Sequence, residues 1–159
     1  MKNNICISHR EDVDGISSAA LIKIAFDVNT IVLLDYANMI KTLRSMVSSI
    51  HDGTNKIDQL FICDLGLSKK NENEFVKILK EIIEAKCKFT YIDHHYLDNK
   101  ILADLKRNGV KLLHSTAECT SIHIYKKYKR KFSSYSAFLA VAAALTDYLE
   151  ARPIASNLV

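Results

Sequence analysis

The chain has 159 residues, of which 48% are hydrophobic and 25% are charged, and its formal net charge is +4. This composition is typical of one globular domain and excludes an intrinsically disordered chain. No apolar run reaches the roughly 18 residues that span a bilayer, and no signal-peptide h-region follows the N-terminus. We therefore expect a cytoplasmic protein with no membrane partner, whose mild positive charge permits a polyanionic one.

The four cysteines also indicate a reducing compartment. They show no CxxC spacing, and the first two alternate with apolar residues of predicted strands. We interpret all four as small core residues and expect neither a structural zinc site nor a thiolate ligand. They are Cys6, Cys63, Cys87 and Cys119.

Hydrophobic periodicity predicts strands that alternate with helices along the whole chain. The predicted strands span residues 4–8, 30–35, 59–63, 89–92 and 110–113, and the second is interpreted as fully buried. The predicted helices span residues 15–26, 36–50, 100–106 and 134–147, with a long one after a Ser68 cap and another from the Ser115/Glu118 capping box to residue 131. This order predicts one α/β domain, doubly wound, with a mainly parallel five-stranded sheet and helices on both faces.

Polar side chains that can bind metals follow three of the predicted strands. Because the carboxyl ends of parallel strands form the ligand-binding edge of an open sheet, we expect these side chains to share one metal centre. They are His9, Asp12 and Asp14 after the first strand, Asp64 after the third, and Asp93, His94 and His95 after the fourth.

Asp147 is an eighth candidate for this centre. It follows an alanine-rich helix that suits a carboxylate only when a cation is near, because a buried unpaired charge is costly. No Lys or Arg occurs between residues 132 and 151, so we expect the cation to be a metal.

The donor types indicate the metal. Imidazoles and carboxylates favour Mn²⁺, with Mg²⁺ or Co²⁺ as alternatives, over structural Zn²⁺. Because this many carboxylates carry more negative charge than one cation balances, we predict two ions bridged by a shared aspartate. Two ions about 3.5–4 Å apart are typical of phosphoryl transfer, in which an unligated histidine can stabilise a phosphate oxygen or protonate the leaving group.

A dense basic run, Lys126–Lys131, is the other conspicuous feature of the sequence. The favoured interpretation is a solvated helix end whose cations suit the helix dipole. The alternative is a patch for a phosphate backbone, with Tyr125 or Tyr128 available to stack on bases.

These residues, in this order, resemble the DHH phosphoesterase superfamily over residues 5 to about 150. The segment Ser8–Gly15 is similar to its first motif, Cys63–Gly66 to its second and Thr146–Asp147 to its fourth, while Asp93-His94-His95 is similar to the third, which names the superfamily. The phrase from His9 to Ala19 is most similar to RecJ-like proteins. The first motif has two residues between His9 and Asp12, a spacing that differs among subfamilies.

The resemblance implies a role for each matched residue. One metal would be held by His9, Asp12 and Asp64. The second would be held by Asp14, Asp64, His94 and Asp147, with Asp64 bridging. His95 would face the scissile phosphate as a catalytic residue, and Asp93 would orient a neighbouring side chain.

The resemblance also implies a metal-dependent hydrolase, and it leaves the substrate open. The first interpretation is a phosphodiesterase, such as an exonuclease, acting on single-stranded DNA, RNA or short oligonucleotides. The second is a phosphoanhydride hydrolase of pyrophosphate or polyphosphate, and the third is a catalytically weak, replication-associated binding module. A homodimer or a replication or repair protein are the partners left open. We expect residues 1–159 to be the catalytic, metal-binding domain, with the family's usual C-terminal substrate-binding domain absent.

Overall fold

Five short runs rich in Ile, Leu and Phe form the strands of one sheet in a computed structural model, which describes residues 2–158. They lie in the order β2-β1-β3-β4-β5, and every neighbouring pair is parallel. The chain order reverses between β1 and β3, and open α/β sheets bind their ligands beside such a switch point. The strands are β1 (Asn4–His9), β2 (Thr30–Leu34), β3 (Gln59–Cys63), β4 (Lys88–Asp93) and β5 (Lys111–His114).

Helices cover both faces of the sheet, so the predicted doubly wound α/β class is confirmed. One face packs against α2, α3 and α4 around Phe75 and Tyr91, and the other against α1, α5 and α6 around Phe61 and Ile122. Two short 3-10 turns, residues 129–131 and 155–157, follow α5 and α6. The helices are α1 (Val13–Phe26), α2 (Tyr36–His51), α3 (Glu72–Glu84), α4 (Asn99–Arg107), α5 (Thr120–Tyr128) and α6 (Tyr135–Thr146).

The expectation of a fully buried second strand is wrong. β2 is an edge strand paired only with β1, and of its residues only Leu34 is buried. An uninterrupted apolar run is typical of an interior strand of a parallel sheet, but it does not distinguish an interior position from an edge covered on one side. The strand order, and not the local pattern, determines this exposure.

Both predicted serine caps are also wrong. The α3 helix begins at Glu72, and Ser68 contributes only a backbone carbonyl to the preceding turn. The α5 helix begins at Thr120. The hydroxyl of Ser115 does not cap this helix and accepts from the amide of Ala117 instead. The carboxylate of Glu118 accepts from the amide of Ile154, at 2.7 Å, so a tertiary contact uses the group that local spacing assigned to a capping box.

No helix among residues 2–158 combines the length and the apolar composition needed to cross a membrane.

A close approach at the start of α1 fixes the first loop of the site. The hydroxyl of Ser8 donates to the carbonyl of Gly15 at 2.7 Å and contacts the carbonyl of Cys63 at 3.2 Å. A Cβ on Gly15 would overlap the carbonyl oxygen of His9 and lie 2.7 Å from its carbonyl carbon. The loop can therefore return to β1 only because residue 15 lacks a side chain.

We predict that Gly15→Ala lowers the free energy of unfolding by about 1–3 kcal/mol, because inserting a methyl into a packed site forces backbone shifts. Urea denaturation monitored by circular dichroism measures the change. The matched control is Ile16→Ala on the same helix, where the native side chain is 48% exposed. Equal stability of the Gly15→Ala variant and the native chain would contradict the close approach.

Candidate metal centre

The loops that follow β1, β3 and β4 bring the candidate residues to the carboxyl edge of the sheet. Asp12 is the N-cap of α1, where its Oδ1 accepts from the amide of Gly15 at 2.8 Å. Asp14 lies in the first turn of the same helix and is fully buried. Asp64 follows β3 directly, and Asp147 is the C-cap of α6, which packs against α1.

His94 lies among three carboxylates that come from three different segments of the chain. Its Nε2 is 3.4 Å from Asp64 Oδ1, 3.7 Å from Asp147 Oδ2 and 3.9 Å from Asp14 Oδ2. The structure therefore brings together the four residues that the resemblance implies for the second metal. All three carboxylates thus have an oxygen within 3.9 Å of the His94 Nε2.

Asp14 also joins the first motif to α5. Its Oδ2 accepts from the amide of Thr120 and its Oδ1 from the amide of Ser121, each at 2.8 Å. The carboxylate thus caps a helix whose N-cap residue, Cys119, makes no side-chain cap, and its charge is favoured there by the helix dipole. The hydroxyl of Thr120 donates to Asp64 Oδ1 at 3.0 Å, so α5 orients two of the carboxylates.

Asp64 has a left-handed backbone conformation, with φ of 55°. Few residues other than glycine adopt this region, although Asp and Asn tolerate it best. The amide of Asp64 donates to the carbonyl of Ile92 at 3.0 Å, which anchors the bend to β4. Conformations of this kind are concentrated at functional sites, where the surrounding structure holds them in place.

Burial and mutual repulsion perturb these carboxylates. Burial raises the pKa of Asp64 to about 7, with Asp14 adding to the rise and His94 opposing it. Burial, followed by the charge of Asp14, raises the pKa of Asp147 to about 6. Burial opposes the charge of His94, but the contact with Asp64 and the nearby carboxylates outweigh it and raise the pKa of His94 to about 9. The protein groups alone therefore do not balance the repulsion among these buried carboxylates.

The donor set fits divalent metal ions. Oδ2 of Asp64 and Oδ2 of Asp147 are both buried and have no hydrogen-bond partner among residues 2–158. Buried polar atoms are normally satisfied, and a cation would satisfy both oxygens while relieving the repulsion among the carboxylates. Two groups of three residues have ligand atoms within 4.8 Å of one another: Asp64, His94 and His95, and Asp14, Cys119 and Asp147.

The second group places a cysteine sulfur at the centre, where the sequence predicts no thiolate ligand. Cys119 precedes α5 and is fully buried, and its Sγ is within 4.8 Å of ligand oxygens of Asp14 and Asp147. Burial, reinforced by the charge of Asp14, raises the pKa of the Cys119 thiol. The sulfur is therefore held as a neutral thiol by the protein groups around it.

His9 and Asp12 form a separate pair. His9 Nε2 is 3.4 Å from Asp12 Oδ2, and the His9 ring packs on Tyr36 with 4.3 Å between ring centroids. Among residues 2–158, the groups of three clustered ligands do not include either member of this pair. Within the described part of the chain, Asp64 therefore shares a compact ligand group with His94 but not with His9 or Asp12.

His95 is held at both ring nitrogens. Its Nδ1 lies 2.9 Å from Asp93 Oδ1, and this contact is the main reason that the pKa of His95 is raised. Its Nε2 lies 3.2 Å from the hydroxyl of Tyr36. Nε2 of His114 donates to the carbonyl of His95 at 2.7 Å, and a Cβ on Gly66 would lie 2.8 Å from His95 Cγ. Asp93 and Tyr36 therefore orient the His95 ring, His114 holds its backbone, and the absence of a side chain at Gly66 leaves room for the ring.

Sequence reasoning missed several residues of this centre. Tyr36 is the first residue of the predicted helix 36–50, and His114 follows the predicted strand 110–113, and neither position marks a site residue in the sequence. Thr120 and Ser121 carried the only local signal, since hydroxyl residues at a helix start often make capping contacts. Their actual partners are more than 50 residues away along the chain, which no local pattern records.

Two solved structures share this fold. An uncharacterized protein from Helicobacter pylori G27 superposes with a TM-score of 0.71 at 15% identity, covering 98% of this chain and 46% of that one. CDC45 from Entamoeba histolytica superposes with a TM-score of 0.68 at 16% identity, covering 99% of this chain and 32% of that one. The chain thus spans less than half the length of either. No curated protein matches it.

A family model provides the assignment that these distant structures do not. The model of the DHH family, N-terminal domain, matches residues 4–149, which include every candidate ligand described above. The match agrees with the doubly wound sheet and with the acidic and histidine groups at its carboxyl edge. The chain therefore belongs to the DHH family.

Proposed function

We propose that this chain is a metal-dependent phosphodiesterase that acts on single-stranded nucleic acid or short oligonucleotides by a two-metal mechanism. The observation that carries the proposal is the convergence of Asp14, Asp64 and Asp147 on His94, with buried carboxylate oxygens left unpartnered. Membership of a phosphoesterase family supplies the reaction class. Mn²⁺ is the proposed metal, with Mg²⁺ and Co²⁺ as alternatives, because the charged donors are oxygens and imidazoles.

Metal ions in such a site polarise the phosphate and supply hydroxide near neutral pH. Asp14, Asp64, His94 and Asp147 are the proposed ligands of one ion, and His9, Asp12 and the bridging Asp64 those of the other. The amides at the start of α5 hold Asp14 in place, and the hydroxyl of Thr120 does the same for Asp64. The ligands are thus oriented before any ion binds, which lowers the reorganisation that binding requires.

His95 is the proposed contact to the substrate phosphate. Its side chain is 37% exposed, in contrast to the fully buried Asp93 that holds its Nδ1. Asp93 therefore fixes the ring and favours its protonated form. When substrate binds, the Nε2–H that lies against the Tyr36 hydroxyl can turn to the substrate, donating a hydrogen bond to a phosphate oxygen or passing a proton to the leaving group.

Two other functions remain candidates. A phosphoanhydride hydrolase would use the same metals on pyrophosphate or polyphosphate. A catalytically weak binding module fits the fold shared with CDC45, but the carboxylates and imidazoles gathered at the sheet edge argue against it. Incubation with Mn²⁺ and a panel of single-stranded DNA, RNA, short oligonucleotides, cyclic dinucleotides and pyrophosphate separates the three functions. We expect turnover of the phosphodiesters only.

We also propose that residues 1–159 act as the catalytic, metal-binding domain of this activity. The proposed ligands and His95 all lie between residues 9 and 147. Metal binding should therefore be measurable on this chain alone. Groups that grip the substrate from the far side of the cleft, such as those of the family's usual C-terminal domain, would increase kcat/KM by orienting it.

We predict that Asp64→Asn abolishes Mn²⁺-dependent hydrolysis and lowers the bound Mn²⁺, because the bridging charge is removed while the shape is kept. Asn also tolerates the left-handed backbone, so the fold should persist. Metal analysis, turnover and circular dichroism measure the three effects. The matched control is Asp104→Asn, on α4 beside Arg107. Full activity of the Asp64 variant would refute the two-metal proposal.

His94 and His95 should behave differently when each is replaced by alanine. We predict that His94→Ala loses metal, because its Nε2 lies among the carboxylates. We predict that His95→Ala keeps near-normal metal content and loses about 10²–10⁴-fold in kcat, the usual contribution of a general acid or base. Metal content by mass spectrometry and steady-state kinetics test the pair. Equal metal loss in both variants would contradict the assignment.

The Lys126–Lys131 run provides the charge for a non-specific contact to nucleic acid. Replacing Lys126, Lys127, Lys129 and Arg130 by Gln should lower the slope of log K against log salt for single-strand binding. Each phosphate that a lysine or arginine neutralises contributes about 0.7 to that slope. Lys131 is kept, because its Nζ donates to the carbonyl of Ala25 at 2.7 Å.

A control variant has four other exposed lysines replaced by Gln. It separates the effect of where these charges lie from the effect of the total charge. An unchanged slope in the variant of the Lys126–Lys131 run would support the interpretation of this run as a solvated helix end. The control positions are Lys41, Lys69, Lys80 and Lys100.

A further inference from the structure

A cavity of about 530 Å³ lies directly beside the proposed phosphate-contacting residue, His95. The first turn of α2, the loop after β3 and the residue after His95 form its walls. Its volume is in the range of small-molecule sites in proteins. The side chains that line it include Tyr36, Leu67, Ser68, Asn71, His95 and Tyr96.

The charge of this cavity argues against a second phosphate as its occupant. Its lining residues include neither Lys nor Arg, although the chain has 22 such residues in total. A cavity for pyrophosphate or polyphosphate would need cationic side chains around the second phosphate. The occupant next to the scissile phosphate is therefore expected to be uncharged.

The aromatic walls indicate what that uncharged occupant is. Tyr36 is held in place by its contacts with His9 and His95, so its ring is a rigid wall. The Tyr96 ring is 78% exposed and lies beside the same cavity. Nucleic-acid proteins that read single strands stack bases on aromatic rings of this kind. A single exposed tyrosine is common on a protein surface. Two tyrosines beside the proposed catalytic imidazole indicate a binding site.

Polar groups at the other wall are free to contact a base edge. Asn71 is the N-cap of α3 but makes no side-chain cap, and its carboxamide offers both a donor and an acceptor. Ser68 adds an exposed hydroxyl, and Leu67 adds an apolar surface. A planar ring with hydrogen-bonding edges matches this combination.

We propose that the cavity binds the nucleobase of the nucleotide that carries the scissile phosphate, with Tyr96 stacking on the base and Asn71 at its edge. This inference rests on the proposed phosphodiesterase function and makes its substrate class specific: a base-bearing nucleotide, and neither pyrophosphate nor a sugar-phosphate backbone without bases. Tyr36 then has a double role, as a wall of the base site and as a positioning residue for His95.

Binding of two non-hydrolysable probes tests the proposal independently of turnover. The first is dithymidine with a methylene in place of the bridging ester oxygen, and the second is the same molecule without its bases. With Mn²⁺ present, calorimetry should show tighter binding of the base-bearing probe to the native chain. Tyr96→Ala should weaken that binding roughly fivefold to 100-fold, while binding of the abasic probe changes by at most about twofold.

Two control variants sharpen the test. Tyr96→Phe keeps the ring and should restore binding of the base-bearing probe. Tyr135→Ala removes a tyrosine that is 87% exposed on α6, outside the cavity, and should have no effect. Equal affinity of the native chain for both probes would overturn the base site. Equal weakening of both probes by Tyr96→Ala would overturn it as well.

These outcomes are distinct from failure of the proposed function. If base-dependent binding is found but the phosphodiesters of the substrate panel are not hydrolysed, the base site stands and the catalytic proposal fails. If the phosphodiesters are hydrolysed and base-bearing and abasic probes bind alike, the catalytic proposal stands and the base site is refuted.

Discussion

The capping of α5 by Asp14 is the contact on which the rest of the centre depends. One carboxylate accepts both of the first amides of α5, more than 100 residues away along the chain. The same helix then orients Asp64 through the hydroxyl of Thr120. A buried amide or carboxylate without a hydrogen-bond partner destabilises the fold. Keeping these hydrogen bonds therefore holds the first motif, the second motif and the second half of the sheet together.

The centre concentrates negative charge where the protein provides little to balance it. Asp14, Asp64 and Asp147 surround one imidazole, and burial raises the pKa of Asp64 to about 7 and that of Asp147 to about 6. A fold that needed only stability would pair or remove such groups. Bound cations would explain this arrangement, because they would neutralise the carboxylates. The repulsion that destabilises the metal-free cluster would then be relieved on binding and would increase the affinity for metal.

The two sides of His95 differ in chemistry. On one side lie carboxylates suited to metals, and on the other lies a cavity with tyrosine walls and neither lysine nor arginine in its lining. His95 stands between them, tied to Asp93 on the protein side and to Tyr36 on the cavity side. A substrate with a charged phosphate and a neutral aromatic group matches this division, which supports the proposal of a nucleotide over an inorganic phosphate chain.

The sequence was sufficient for the strands, the helix order and the fold class, because apolar periodicity and strand-end polar residues are local signals. It also indicated which residues would meet at the sheet edge, since parallel strands share one carboxyl edge. It could not assign β2 to the edge of the sheet or predict the start of α5, because strand order and the contact between Glu118 and Ile154 are long-range.

Only the tertiary structure decided which candidates lie together. It gathered three carboxylates around His94, brought the thiol of Cys119 beside them and left His9 paired with Asp12. These distances depend on how α1, α5 and α6 pack on the sheet, and side-chain spacing along the chain contains no information about that packing. The sequence alone determined the chemistry available at the site, and the packing determined which of those groups can act together.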